Sequence, residues 1–310
     1  MTTQYSIDSP LKIGTRGSPL ALAQAYETRR RLMEAHGLAE AAFTIEVIQT
    51  TGDAVQDRPL SEIGGKGLFT KEIELALLDG RIDIAVHSMK DVATELPDDL
   101  VIDCTLPRED VRDAFISRKY TSITELPEGA TVGTSSLRRR AQLLAMRPDL
   151  KLVEFRGNVQ TRLKKLDDGV AEATFLACAG LRRLGRFDIA NPIETEVMLP
   201  ACAQGAVGIE RRKIDDAAAA LLAPIHDEDT YIRISAERAF LKELDGSCRT
   251  PIGGLAELDG DTLRFRGEII RPDGSVIHAG SWEGPISEAV QIGTEAGLEL
   301  RAKGGEGFFA

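Results

Sequence analysis

Apolar and polar positions along the first part of the chain switch repeatedly between a strand period and a helix period. Leu11-Lys12-Ile13-Gly14-Thr15 reads as a short strand, and Leu20–Ala35 carries apolar residues at helical spacing. Ser18 followed by Pro19 marks the start of that helix: a hydroxyl can cap free N–H groups, and proline loses no hydrogen bond in the first turn. Phe43–Gln49 alternates as a strand, and Thr51–Gly67 is polar and glycine-rich, as a mobile flap would be. Leu68–Leu78 is an amphipathic helix closed by Gly80, and Ile82–His87 is an apolar strand ending at Ser88-Met89-Lys90-Asp91. Alternation on this scale predicts α/β architecture around parallel sheets, where ligands sit beyond the carboxyl ends of strands. Arg16 and the Lys90-Asp91 pair both stand at such ends.

A second unit begins near Asp113. Thr131–Thr134 is a strand, Ser135-Ser136 a turn, and Leu137–Met146 a helix; Leu152–Phe155, Val159–Leu166 and Ala173–Ala179 continue as strand, helix and buried strand. Val132-Gly133-Thr134 followed by Ser136 repeats Ile13-Gly14-Thr15 followed by Ser18, so two similar α/β domains are expected, each offering a helix N-terminus to an anion. The small-residue run within Pro200–Glu210 reads as a strand returning to the first domain, followed by helices at Asp215–Ala223 and Thr230–Leu244. From Gly254 the pattern changes. Leu255–Leu258, Thr262–Ile270 and Val276–Trp282, separated by Asp-Gly turns, predict an antiparallel sheet covered by a helix over Ile286–Arg301. The expected division is residues 1–107 with 201–225, then 108–200, then a C-terminal α+β domain at 226–310.

Composition narrows the function. The chain has 310 residues and a net charge of −11, which argues against a general nucleic-acid binder. No apolar run is long enough to span a bilayer, and Met1–Pro10 lacks a basic stretch followed by an apolar one, so neither membrane nor export is expected. Four scattered cysteines, at 104, 178, 202 and 248, contain no Cys-x-x-Cys pair, so neither a disulfide framework nor a metal site is expected, and a reducing cytoplasm fits. Cys104 and Cys178 read as buried structural residues, and His87 as a packed residue rather than a catalyst. Charge is uneven: Arg138 to Lys165 holds nine Lys/Arg against two Asp/Glu, a local net of +7. Such a cluster is either a solvated face or a focused site for a small polyanion. Arg138 and Arg139 oppose the helix dipole in a first turn, which is easier to understand if they hold an anion there.

Asp245-Gly246-Ser247-Cys248-Arg249-Thr250-Pro251-Ile252-Gly253-Gly254 places a cysteine between turn-forming residues. A loop thiol can be a nucleophile, a metal ligand, an attachment point for a prosthetic group, or an ordinary surface residue. The order of motifs adds to this. Gly14-Thr15-Arg16 with Ser18-Pro19-Leu20-Ala21, Gly64-Gly65-Lys66-Gly67-Leu68-Phe69, and Val86-His87-Ser88-Met89-Lys90-Asp91 come first. Gly133-Thr134-Ser135-Ser136-Leu137-Arg138-Arg139, Arg156-Gly157-Asn158 with Thr161-Arg162-Leu163, Gln204-Gly205-Ala206-Val207-Gly208 and the Cys248 loop follow. With these seven motifs the chain resembles the hydroxymethylbilane synthase (porphobilinogen deaminase) family over essentially its whole length.

That resemblance implies two periplasmic-binding-protein-like α/β domains plus the C-terminal domain, and a dipyrromethane cofactor held by a thioether to Cys248. It implies condensation of four porphobilinogen molecules onto this primer with loss of ammonia, then hydrolytic release of hydroxymethylbilane. Ammonia loss generates a cationic pyrrole, so a carboxylate is needed beside the ring nitrogens, and Asp91 matches the catalytic position. Each ring carries acetate and propionate arms, which gives the arginine cluster a purpose. Lys90, Ser88, Asp91, Thr134, Ser136, Arg138 and Arg139 match cofactor-binding positions; Arg16, Ser18, Arg156, Arg162, Arg183, Lys66, Phe69 and Gln204 match substrate-binding ones. Lys66 and Phe69, with the flap, would exclude water. The family implies a monomer. Departures from its pattern at Gly17, Ala93, Gln160 and Cys202-Ala203 touch none of the acid/base or attachment groups. Two other classes compete: a two-lobed solute-binding protein for a small anion, and a pyridoxal-phosphate enzyme using Lys90.

Overall fold

Ser18 does cap the first helix. In the computed structural model its hydroxyl accepts a hydrogen bond from the backbone N–H of Ala21. The helix that follows, α1 (Pro19–His36), buries Ala21, Ala25, Thr28 and Leu32, a stripe stepping by four, three and four residues against the sheet. The structure describes residues 5–54, 67–246 and 250–309. Cys248, Lys66 and most of the expected flap therefore lie outside the described residues.

These divide into two compact units, one holding residues 5–54, 67–108 and 206–231, the other 109–205, 232–246 and 250–309. The first contains β1 (Leu11–Thr15), α1, β2 (Phe43–Val47), α2 (Thr51–Ala54), α3 (Lys71–Leu78), β3 (Ile84–Ser88) and β4 (Leu100–Thr105). The second opens with β5 (Asp113–Ser117), β6 (Thr131–Gly133), α4 (Leu137–Met146), β7 (Lys151–Val153), α5 (Val159–Asp167), β8 (Ala173–Ala177), α6 (Cys178–Arg183) and β9 (Asn191–Pro192). The chain then re-enters the first unit with β10 (Val207–Arg212) and α7 (Asp216–Leu222). Helix α8 (Glu228–Glu243) leads to β11 (Ile252–Asp259), β12 (Thr262–Ile270), β13 (Ile277–Pro285) and α9 (Ala289–Gly304).

The expected pair of similar α/β layers is present. One sheet has the order β2-β1-β3-β10-β4 and the other β7-β6-β8-β5-β9. In each, the second, first and third strands of a βαβ run lie parallel, and a strand from elsewhere in the sequence joins antiparallel: β10 beside β3, β5 beside β8. The sheets are thus mixed, not wholly parallel as alternation implied. Periodicity reports which face of a strand is buried, not the direction of a strand arriving from a distance. The cores match this layering, with Leu11, Ile13, Ile84, Val86, Val207 and Ile209 packed with α1 residues in one sheet. Phe115, Val132, Ala173 and Phe175 pack in the other.

The third sheet is the antiparallel one expected, β11-β12-β13. Along β12, Leu263, Phe265 and Ile269 alternate onto its buried face, and Phe240 of α8 meets Phe265 edge-on at 4.9 Å. Helix α9 covers this sheet with Ile292, Ala296 and Leu300. Two local readings shift. Ala173–Ala179 is a strand only to Ala177, because Cys178 begins α6, and the returning strand starts at Val207 because Ala203 (φ 60) and Gly205 (φ 87) form a turn first. Glu237 secures that turn from beneath: its buried carboxylate accepts the backbone N–H groups of Ala203 at 2.5 Å and Ala256 at 2.8 Å.

Candidate active site

Each α/β layer carries its own cluster of expected residues at strand ends. In the first unit, β1 delivers Arg16 and β3 runs into a tight 3₁₀ turn, Met89–Asp91. The turn is anchored by the Met89 N–H donating to the Ala206 carbonyl at 3.1 Å and by the Met89 side chain, which is 2% exposed. Ser88, at the strand end, pairs its hydroxyl with the amide of buried Gln24 at 2.8 Å. Asp91 is partly exposed and its Oδ2 lies 3.9 Å from Nη1 of Arg16. Phe69 stacks on the Arg16 guanidinium at 4.1 Å, so three of the expected residues meet here.

The group that holds Arg16 is Asp53, which sequence reasoning missed. Its carboxylate accepts Nε of Arg16 at 3.0 Å and Nη2 at 2.5 Å, and accepts the Thr50 hydroxyl at 2.9 Å. Burial alone would push the Asp53 carboxyl up, but Arg16 and Thr50 outweigh it and hold it below the usual carboxylate range. Asp53 sits at the start of the stretch read as flap, where an aspartate after Thr-Thr-Gly looks like any turn residue. Behind the strand end, buried His87 pairs with buried Glu210 at 3.0 Å, a packed role as expected. Ser18 spends its hydroxyl on capping α1, and Lys90 is half-buried in the 3₁₀ turn.

In the second unit, Thr134 and Ser136 stand at the N-terminus of α4. Ser136 caps it through the Arg139 N–H, and Thr134 accepts the Ser136 N–H at 3.2 Å. Arg138 and Arg139 are buried, at 4% and 5% exposure, and both donate to the fully buried carboxylate of Asp113, at 2.8 and 2.7 Å. Arg138 also donates to the Leu199 carbonyl and Gln142, Arg139 to the Phe175 carbonyl. Gln204 joins by donating to Asp113 at 2.9 Å and to the Val111 carbonyl at 2.8 Å. The carboxylate answering the first-turn arginines is thus Asp113, a second residue the sequence did not single out. Burial would raise its pKa, but Arg138 and Arg139 lower it well below the ordinary range. Arg183 donates to the Gly205 carbonyl at 3.1 Å beside Gln204. Arg156 and Arg162 flank the start of α5, Arg162 donating to the Gly157 carbonyl at 2.9 Å.

Two guanidinium ions share one carboxylate at Asp113, and a second carboxyl, Glu268, joins the network by accepting the Gln142 amide N–H at 2.5 Å. The Nε atoms of Arg138 and Arg139 are buried without a hydrogen-bond partner. A buried unpaired donor costs roughly 1–3 kcal/mol. Guanidinium donors beside the capped N-terminus of α4 are the donor chemistry that the acetate and propionate arms of a dipyrromethane would need. Cys104, Cys178 and Cys202 are all buried, and burial pushes the thiols of Cys104 and Cys178 up to about 12. Such thiols stay protonated and are poor nucleophiles near neutral pH.

Comparison with known proteins decides the family. The model described as "Porphobilinogen deaminase, dipyromethane cofactor binding domain" matches residues 11–220, and that of the porphobilinogen deaminase C-terminal domain matches residues 231–302. The chain belongs to the porphobilinogen deaminase family. Porphobilinogen deaminase of Paracoccus denitrificans is 64% identical over all of this chain and 99% of its own length. That of Nitrobacter winogradskyi is 57% identical over all of this chain and 98% of its own. The competing solute-binding class loses its support to these matches. Among solved structures, a periplasmic substrate-binding protein of an ABC transporter from Coxiella burnetii aligns over 71% of this chain and 94% of its own, at 16% identity and a TM-score of 0.44. A likeness of that size decides nothing about this chain.

Proposed function

We propose that this porphobilinogen deaminase family member joins four porphobilinogen molecules head to tail with loss of ammonia and releases hydroxymethylbilane by hydrolysis. The observation that carries the reading is the carboxylate of Asp91, partly exposed at the end of β3 beside the guanidinium of Arg16. Loss of ammonia leaves positive charge on the substrate's pyrrole. A fixed carboxylate offsets that charge and accepts pyrrole N–H protons, and Asp91 takes this role. Arg16 binds a carboxylate arm of the incoming ring through paired N–H donors. Phe69, on the face of Arg16, shields that contact from water, with Lys66 as its partner in sequence.

Arg138, Arg139, Thr134, Ser136 and Lys90 would hold the carboxylate arms of a dipyrromethane joined to Cys248, with Ser88 and Asp91 as acceptors for its pyrrole N–H groups. When bound, that group supplies the pyrrole end to which substrate units are added. Arg156, Arg162, Arg183, Ser18 and Gln204 are assigned to the lengthening product. A polyanionic product is the kind of ligand that would draw on basic residues of the Arg138–Lys165 stretch, although Arg147 and Lys164 are spent on Asp149 and Asp168. The three-domain division at 1–107 with 201–225, 108–200 and 226–310 is supported by three separate sheets. We assign the protein to the cytoplasm as a monomer with neither nucleic-acid nor membrane partner. No helix among the described residues is long and apolar enough to cross a membrane.

The test is the intact mass of the denatured protein beside a Cys248→Ser control, before and after incubation with porphobilinogen. Added mass of two linked pyrrole units on the wild type alone, with ammonia and hydroxymethylbilane released on incubation, is the expected result. An unmodified wild type that stays unmodified after incubation overturns the reading.

A further inference from the structure

A guanidinium offers two edges to a carboxylate fork, the side edge of Nε and Nη2 and the end edge of Nη1 and Nη2. On Arg16 the side edge is taken by Asp53, through Nε at 3.0 Å and Nη2 at 2.5 Å. One face is covered by Phe69 at 4.1 Å. The end edge turns toward Asp91, whose Oδ2 stands 3.9 Å from Nη1, beyond hydrogen-bond reach. Asp53 is itself held, since it accepts the Thr50 hydroxyl at 2.9 Å while its own N–H donates to the Thr50 carbonyl at 3.1 Å. Thr50 is almost fully buried, so the support beneath Asp53 is rigid.

We propose that Asp53 is a positioning residue for substrate recognition, which clamps the side edge of Arg16 so that the end edge receives a substrate carboxylate next to Asp91. The inference rests on the porphobilinogen deaminase reading of the site. Its physical content is a competition. Arg16 has two carboxylates near it, Asp53 in contact and Asp91 just out of contact. Without the Asp53 charge, Asp91 is the remaining anion beside Arg16 among the described residues, and Arg16 swings onto it. That pairing occupies the substrate-binding edge and the catalytic carboxylate together, and an incoming ring has to break it. The penalty falls on binding, because once the arm is seated the same Arg16–substrate–Asp91 arrangement is restored.

The experiment compares wild type, Asp53→Asn and Asp53→Glu as holoenzymes, each shown by intact mass to carry the same covalent group. Losing a charged hydrogen-bond pair raises KM for porphobilinogen about tenfold in Asp53→Asn, with kcat within about threefold of wild type. Asp53→Glu, which restores the charge, recovers most of that loss. A KM for Asp53→Asn within about twofold of wild type, a lowered KM, or a fall in kcat at unchanged KM overturns the proposal. If Asp53→Asn does not accumulate as folded holoenzyme, Thr50→Val decides by the same reading: a raised KM is expected, and an unchanged one overturns the role. A wild type that does not turn over porphobilinogen at all removes the functional reading, a result distinct from any difference between the variants.

Discussion

Asp113 has no exposed surface, yet it stays ionised because two guanidinium ions and the Gln204 amide point at it. Removing one member of a buried ion pair costs about 3–5 kcal/mol because the remaining charge is left unanswered. Asp113→Asn is therefore expected to lose about that much stability at neutral pH. Its pH dependence follows from the direction of the shift. The folded-state pKa is depressed, so the contribution is complete above the ordinary aspartate range near about 3.9 and fades as pH falls below it. Chemical unfolding of both proteins, from neutral pH down to about pH 3, should show the gap between them closing in acid. A gap that is the same at every pH would mean the loss is one of packing, not of charge. The arginines of this cluster were legible in the sequence, since nine basic residues in a short acidic-poor stretch stand out. Asp113 and Asp53 were not, because a single aspartate beside an apolar strand or a Thr-Thr-Gly turn has the sequence signature of ordinary turn chemistry. What distinguishes them is the arginine each meets from far along the chain.

Elements with a local cause were read nearly to the residue. The α4 helix, started by the Ser136 cap, runs over Leu137–Met146 as expected, and β12 over Thr262–Ile270. Elements defined by distant partners were read less well: β5 and β10 insert antiparallel, and Ala203 and Gly205 turn the chain before β10 begins. Gly208, on β10, shows what such a partner does for the site. A Cβ there would stand 2.1 Å from Met89 Sδ and 2.9 Å from Ile102 Cγ2, so the absence of a side chain is what lets Met89 sit beneath the turn bearing Lys90 and Asp91. Gly208→Ala must push Met89 aside at a cost of about 1–3 kcal/mol, and a shift of the turn bearing Asp91 is the expected consequence. Misplacement of a catalytic group by about 1 Å can cost on the order of a hundredfold in rate. A drop in kcat of at least about tenfold, in folded enzyme with normal cofactor mass, is the expected outcome. Wild-type kcat in Gly208→Ala would show that the turn does not depend on Met89 for its position.

Across the whole molecule the four cysteines make a prediction that ties burial to cofactor attachment. Cys104, Cys178 and Cys202 are buried, each within its own packed cluster. Raising a thiol from about 9 to about 12 leaves roughly a thousandfold less thiolate at neutral pH, and burial also blocks the reagent's approach. If Cys248 alone is the attachment point, its sulfur in the holoprotein is a thioether and reacts with no thiol reagent. Native holoprotein should then show no fast-reacting thiol, and the same protein unfolded should show three. Apoprotein should show one fast thiol when native and four when unfolded, with the fast one lost in Cys248→Ser. Four titratable thiols in unfolded holoprotein would place the prosthetic group on something other than cysteine. A second fast thiol in native apoprotein would instead mean that one of the three packed clusters opens readily. The two failures are separable because the first is read on the unfolded chain, where packing no longer matters, and the second on the folded one, where it is the only barrier.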